Sequence, residues 1–403
     1  MDAAVLPAVL IVGTLMLLAV TAVLNLFDIG NGIYYRSVSD RQKEAWLDAA
    51  FLLYRQDGSL SDKGGGTFTI FDDEPSSEVT LESSYWGLYE MVVAGCDGGK
   101  TKRAGLIGTE SGGKAHVALY VPDNRRSLTI AGNSNIKGGI SIPGKGIVYG
   151  QVKSDFYSGE RVPEELVFYS PENLPEPRGA ALDSLASMAR KTAWHSVRAG
   201  TDEVFNSFLN PTLYILADSL AGMILKGNIV VSSDDRIVLD RTSILEDIIL
   251  LAPKIFIQDG FSGCLQAFAT DSLVAGKDVN LRYPSGLALT GGNMYSHLRL
   301  GSGGRVDGYV ICHKKDEKEK RQTLPNYLQD EGAKVRGLVW ADGIAEIHGT
   351  VTGSLYAAQP NYYAPQGFYV NMLYNARIYG SSATAFPLWM CNGYPKKTAK
   401  WLY

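Results

Sequence analysis

The stretch Val335 to Ala358 constrains this chain more than any other. Gly337, Gly343 and Gly349 recur every six residues there, with β-branched and aliphatic residues between them. A short fixed period means that each repeat supplies one strand and one corner, and that no repeat buries its apolar face without neighbours above and below. The spacing predicts a parallel β-solenoid with turns at Gly337, Gly343, Gly349 and Gly353. From Gly227 onward, runs such as NIVVSS, RIVLD, DIILLA, KIFIQDG, GLALTG and RVDGYVICH end one after another in glycine or polar corners. At about 18 residues per coil and about 4.8 Å per coil, a rod on the order of 30 Å long is expected for 226–358.

Composition agrees with a β-rich body. Of 403 residues, 44 are glycine, 22 tyrosine and 13 phenylalanine, with 45% hydrophobic and 20% charged. Glycine suits tight corners and aromatic rings suit a pleated surface. The net charge of −4 offers no concentrated basic face, so nucleic acid is not an expected partner. Lys100 to Arg103 is a short basic run, and Lys314 to Arg321 reads as a solvated loop between coils.

Ala3 to Phe27 carries no charged residue, and 25 positions exceed the helical length needed for about 30 Å of hydrocarbon. A membrane-spanning helix is expected over 1–27. The apolar stretch is too long for a signal peptide, has no basic n-region and shows no small-x-small cleavage site before Asp28. Arg36, Arg41 and Lys43 follow the span, which by the positive-inside count holds the body in the cytoplasm. Large domains translocate regardless of that count, and an extracytoplasmic body on a bacterial inner membrane is the expectation adopted. Cys96, Cys264, Cys312 and Cys391 form no CxxC pair.

After Gly30 and Gly32, expected to bend the helix, 28–58 returns to helical spacing. Val38, Ala45, Ala49 and Leu52 form one stripe, with Trp46, Ala50, Leu53 and Tyr54 beside it, and Asp57-Gly58 closes it. A β-rich region is expected over 59–175, where NSNIKGGISIPGKGIVYGQ suggests an early start to the coils. A helical insertion is expected over 176–225, from Leu182, Leu185, Met188 and Ala189 and then Val204, Phe205, Phe208 and Leu209. The segment 359–403 reads as an aromatic C-terminal cap folded over the solenoid end. Its Tyr362, Tyr363, Phe368, Tyr369 and Tyr374 form a candidate interface for protein, or for carbohydrate, on which rings stack.

No reaction is assigned, and no cofactor or metal is expected. GTESGGKA at 108–115 has P-loop spacing, but Ala115 lacks the Mg²⁺-binding hydroxyl and HVALYV follows as a strand. The histidines His116, His195, His297, His313 and His348 share no zinc spacing. His313 and Cys312 are adjacent strand residues and point to opposite faces. Asp234, Asp235, Asp240, Arg241, Asp259, Asp271 and Asp278 supply groups that a polysaccharide-degrading β-helix uses, but they fit no single face.

Two family resemblances follow from these motifs. The first 60 residues resemble the helical spine of type IV pilins and pseudopilins, without the early glutamate such proteins carry. GGRVDGYVICH at 303–313 and GAKVRGLVWADGIAEIHGTVTGSLYAA at 332–358 resemble the rungs of bactofilins, bacterial polymer-forming cytoskeletal proteins. WGLYE at 86–90 is similar to a motif of uncharacterised bacterial envelope proteins. The resemblances imply a membrane-anchored structural or assembly component of the cell envelope, part of a pilus-like or secretion-like machine, with protein partners or self-association. The alternative is a carbohydrate-binding or polysaccharide-degrading β-helix protein.

Overall fold

The structure is a computed structural model that describes residues 5–56, 60, 64–71, 77–110, 117–180, 183, 186–187, 195–196, 203–291, 296–313, 324–365, 367–380, 384–390 and 395–402. The chain is mainly β with one long N-terminal helix, and it divides into two compact units.

The smaller unit comprises 1–82 and 94–102. Its helix, Val5–Gln56, runs 52 residues, about 78 Å at the helical rise of about 1.5 Å per residue. It does not break at Gly30 or Gly32, because glycine in a helix interior costs only about 1 kcal/mol and leaves the hydrogen-bond ladder intact. Its large apolar residues from Val9 to Tyr35 are each more than half exposed. Further along, Trp46, Leu47, Ala50, Phe51 and Tyr54 are buried, whereas Val38, Leu52 and Leu53 are exposed. The buried stripe is thus the second of the two expected rows, with Leu47 and Phe51 added, on the face whose rings remove the most area from water. Lys43 Nζ donates to Asp97 Oδ2 at 3.0 Å. Strand Gly65–Thr69 pairs antiparallel with Glu78 to Glu82.

The larger unit comprises 83–93 and 103–403. Ile224–Gly227, Ile229–Ser232 and Arg236–Leu239 all pair in parallel with the single long strand Ile244–Ile257. That strand pairs with Ser262–Ala275, which pairs in turn with Asn280–Thr290 and His297–Leu300. Arg305–His313 and Tyr327–Gln329 come next, then Lys334–Ile347 and Thr350–Ala364. Together these strands form one parallel sheet that closes on itself.

Inward side chains of every layer meet in one apolar core, from Ile229 and Leu250 through Leu287 and Val310 to Val339 and Leu355. Over part of the sheet the outward side chains are buried too. Val230, Ile249, Phe268, Ala288, Tyr309, Leu338, Trp340 and Tyr356 pack under Trp86, Leu88, Leu106, Phe386 and Trp389. Strands buried on both faces read as continuous apolar runs rather than alternating ones, which accounts for DIILLA, GLVWA and YVICH.

Spatial order departs from chain order at one end of this series. After Thr350–Ala364 the next strands are Leu119–Tyr120 and Arg377–Tyr379, followed by Asn135–Lys137, Ile140–Ile142 and Val167–Tyr169. Residues 117–142 therefore follow the glycine-rich layers in space although they precede them in sequence. The tail does not seal the stack as a cap. It contributes Arg377–Tyr379 to a layer and then returns as Lys396–Leu402, antiparallel to Thr101–Thr109.

At the other end, Glu203–Asn206, Leu213–Leu216 and Ser219–Leu220 are strands in parallel register with Ile224–Gly227, Ile229–Ser232 and Arg236–Leu239. The helical insertion expected over 176–225 is thus corrected from 203 onward, where Val204, Leu213 and Leu220 join the inner core as strand residues. Most of 181–202 lies outside the described residues, as do Ala115, His116, Lys314 to Arg321 and Cys391.

The glycines do not all stand where a turn was expected. Gly337 and Gly353 lie inside Lys334–Ile347 and Thr350–Ala364, and with Gly308 they pair rung upon rung. Their φ values are 142°, 135° and 137° for Gly308, Gly337 and Gly353. A Cβ at Gly337 would run into the Gly308 carbonyl oxygen, and one at Gly353 into that of Gly337. Gly343 is a half-buried position within Lys334–Ile347. Gly349 lies between two strands, where a Cβ would meet the Ala333 carbonyl oxygen.

Candidate functional site

Four successive layers begin with a polar residue followed by an inward aliphatic one: Arg305-Val306, Lys334-Val335, Thr350-Val351 and Arg377-Ile378. Parallel register sets Lys334 beside Thr350 and Thr350 beside Arg377, so alternation turns all three outward on one column while the aliphatic residues enter the core. This column forms one wall of a cavity of about 600 Å³, with Asn133, Glu331, His348, Tyr362, Tyr374 and Asn375 among its other lining residues.

The remaining side is aromatic. Asn361 to Ala364 and Gly367–Val370 form an antiparallel hairpin that projects the tyrosines. Tyr362 contacts Tyr374 at 4.5 Å between ring centroids, Tyr369 at 6.0 Å and His348 edge-on at 5.8 Å. Tyr363 and Phe368 stack on each other at 5.7 Å. The five expected aromatic residues therefore divide into a Tyr362, Tyr369, Tyr374 group and a separate Tyr363, Phe368 pair.

Hydrogen bonds hold the lining in place. Tyr374 Oη bonds to Asp155 Oδ2 at 2.7 Å, His348 Nε2 lies 2.9 Å from Glu346 Oε1, and Asn375 Oδ1 accepts from the Asn133 N–H at 2.8 Å. Burial, with Glu346 and Tyr369 adding to it, raises the Tyr362 phenol above its ordinary pKa. The Asp155 hydrogen bond does so for Tyr374. Both rings stay protonated at neutral pH and offer a neutral hydroxyl. Sequence reading reached the tyrosines but missed Lys334, Thr350, Arg377, Asn133 and Asn375. The recurring polar-aliphatic pair at layer starts is the signal that could have found the column.

A second cluster binds the C-terminal strand. Asp247 lies at a bulge with φ 60°, its side chain buried. Lys400 Nζ donates to both Asp247 oxygens at 2.7 Å and to Glu246 Oε1 at 3.1 Å, and Arg282 pairs with Glu246. The Cys264 thiol donates to Asp247 Oδ1 at 3.2 Å. Burial, with Asp247 next, pushes that thiol up to about 12. Burial works against the Lys400 ammonium, but Asp247, Cys264 and Glu246 outweigh it and raise its pKa. Glu246, Asp247 and Cys264 offer three metal-ligand types within one small volume. Lys400 already supplies the cation there, which makes this an ionic clamp.

The other residues singled out in sequence sit apart. Cys312 is in the inner core, and His313 faces the other way with Nδ1 2.6 Å from Asp342 Oδ2. Asp240 accepts the Thr242 N–H at 2.8 Å, Asp259 accepts that of Lys277 at 2.8 Å, and Asp271 pairs with Lys254 at 3.8 Å. Asp240 and Asp259 thus tie corners, and Asp271 lies within Ser262–Ala275.

The WGLYE hairpin docks through Gln266. Gln266 Oε1 accepts from the Leu88 N–H at 3.0 Å and from Tyr309 Oη at 2.6 Å, while Gln266 Nε2 donates to the Trp86 carbonyl at 3.1 Å.

No known protein family matches the chain, and no curated protein is significantly similar to it in sequence. Among solved structures, it is similar to the competence-associated pilin ComZ from Thermus thermophilus at 9% identity. That match covers 84% of this chain and 86% of the other, with a TM-score of 0.19, a superposition too loose to carry an argument.

Proposed function

We propose that this is a single-pass membrane protein whose helix tethers a β body that serves as a structural or assembly component of the cell envelope. The observation that carries the reading is one continuous helix with two kinds of surface. Its first half is apolar and exposed on all sides, whereas Trp46, Leu47, Ala50, Phe51 and Tyr54 are buried. So large an exposed apolar surface is not stable in water, and a bilayer is the solvent that matches its length. Tyr34, Tyr35 and Arg36 follow the apolar stretch, where amphipathic rings and a cation suit the headgroup layer. A signal sequence is removed from the folded protein, whereas this helix supplies part of the fold.

In this reading the parallel layers are coils of a β-solenoid. Lys334–Ile347 pairs with two different strands on one edge and with one long strand on the other, the pattern of bent coils stacked layer on layer. The bactofilin-like glycine pattern then marks contact between layers, and the body is placed outside the inner membrane. No reaction is part of the reading.

Deleting Met1 to Phe27 is expected to release the body into the soluble fraction, while the full chain resists extraction by alkaline carbonate. A truncated chain that remains in the membrane pellet, or a full chain that washes off, would overturn the anchor. Protease accessibility in intact cells against permeabilised cells reads the side on which the body lies.

A further inference from the structure

We infer that the cavity bounded by Lys334, Thr350, Arg377, Tyr362 and Tyr374 binds an acidic polysaccharide, one that carries a carboxylate once per disaccharide. The inference rests on the tethered-body reading only for placing the site among envelope polymers; the chemistry stands on the cavity itself.

Three observations combine. First, Lys334 and Arg377 are exposed and, among the described residues, neither takes part in an ion pair. By contrast Arg305, one rung beyond Lys334 in the same column, is neutralised by Asp307 through two hydrogen bonds at 3.0 and 2.7 Å. Unpaired cations are thus confined to the part of the column that lines the cavity. Second, Lys334 and Arg377 stand two rungs apart, with Thr350 between them. Strand spacing places their backbones about 9.5 Å apart, close to the advance of one disaccharide in an extended glycan chain. A uronate polymer lying along the column would meet a cation at each carboxylate and the Thr350 hydroxyl between them. Third, the opposite wall supplies what a sugar ring needs besides charge. Tyr362 and Tyr374 offer apolar ring surface and neutral hydroxyls. Asn133, Asn375 and the Glu331 carboxylate offer further partners for ring hydroxyls.

A free phosphate or a folded acidic protein fits less well. A cavity of about 600 Å³ with cations on two different rungs admits a chain a few sugars long rather than one small tetrahedral anion or a convex surface.

The test uses the full chain in detergent micelles, with hyaluronan oligosaccharides of six to ten sugars, in which a uronate alternates with a neutral sugar, as the probe and neutral cello-oligosaccharides and poly-glutamate as comparators. Binding of the hyaluronan oligosaccharide is expected, weakening as salt rises. Lys334→Ala and Arg377→Ala are each expected to weaken it about tenfold. Both residues are exposed, so neither variant should shift the thermal unfolding midpoint. Tyr374→Phe, which keeps the ring, should bind more tightly than Tyr374→Ala. Absence of hyaluronan-oligosaccharide binding at low salt, binding by either cation variant as tight as that of the wild type, or equal binding of poly-glutamate would overturn the assignment. Failure of the membrane reading is separate: a chain that fractionates as soluble yet binds the uronate sinks the anchor and leaves this site intact.

Discussion

Gly337 shows how much one missing Cβ decides. With φ 135° and the Gly308 carbonyl directly over it, the position combines a backbone region closed to L side chains with a contact that leaves no room for a methyl group. Gly308 and Gly353 repeat the arrangement one rung on either side. Gly337→Ala is therefore expected to destabilise the larger unit by about 3 kcal/mol or more. Replacing Gly146, also at positive φ (75°) but with open space beside it, should cost only the backbone strain, about 1 kcal/mol. Denaturant midpoints of the two variants check the difference, and equal midpoints would show that strain rather than layer contact sets the cost. The glycines were legible in sequence because their spacing is regular. Their role was not, since a six-residue period along the chain does not reveal which glycines stack across layers.

At the scale of elements, the Trp86 to Tyr89 hairpin explains a motif that sequence reading could only name. Trp86 packs edge-on against Phe208 at 5.2 Å, Tyr89 lies 6.0 Å from Tyr309, and Gln266 satisfies the turn's backbone from inside the sheet. Gln266→Leu keeps the volume but leaves the Leu88 N–H and the Trp86 carbonyl buried without a partner, at about 1–3 kcal/mol each. Hydrogen exchange at Leu88 should accelerate in that variant while exchange at core amides such as Val310 stays slow. Uniform acceleration would mean that the hairpin is not a separable element. The long helix teaches a related lesson. Its apolar length is legible in sequence, and of the two expected rows the one with Trp46, Ala50 and Tyr54 is buried while Val38 and Leu52 of the other are exposed, because periodicity alone does not weigh a tryptophan against an alanine. The expected helices beyond 203 failed for a like reason: Val204, Phe205, Phe208 and Leu209 fit helical spacing, yet parallel pairing with Ile224–Gly227 satisfies that backbone instead.

For the larger unit as a whole, the clamp formed by Lys400, Asp247, Glu246 and Cys264 joins the C-terminal strand to the layered sheet. Both shifted groups act in the same direction with pH. The Cys264 thiol and the Lys400 ammonium have folded pKa values above their unfolded ones, so their contribution is complete below about pH 9 and is lost as pH rises toward 12. Alkaline unfolding should accordingly begin near pH 9 in wild type. Lys400→Met should be less stable at neutral pH by about 3 kcal/mol, because Asp247 keeps a buried charge without its partner, and its loss of stability between pH 9 and 12 should be shallower. Parallel pH curves for the two proteins would refute the clamp. Cys264 should also resist thiol reagents at neutral pH until denaturant is added.

Sequence alone determined the elements whose signals are local: the apolar span, the glycine-punctuated strands, and the aromatic crowd after Ala358. Each follows from period, length or residue type read over a few neighbours. Only the tertiary structure decided that residues 117–142 stack beyond Thr350–Ala364, that the tail lies along the sheet, and that Lys334, Thr350 and Arg377 share a column. Those facts depend on which strand edges meet, and backbone hydrogen bonds between strands are alike whatever side chains they carry. Register is therefore set by packing of the whole core, which no short window of sequence contains.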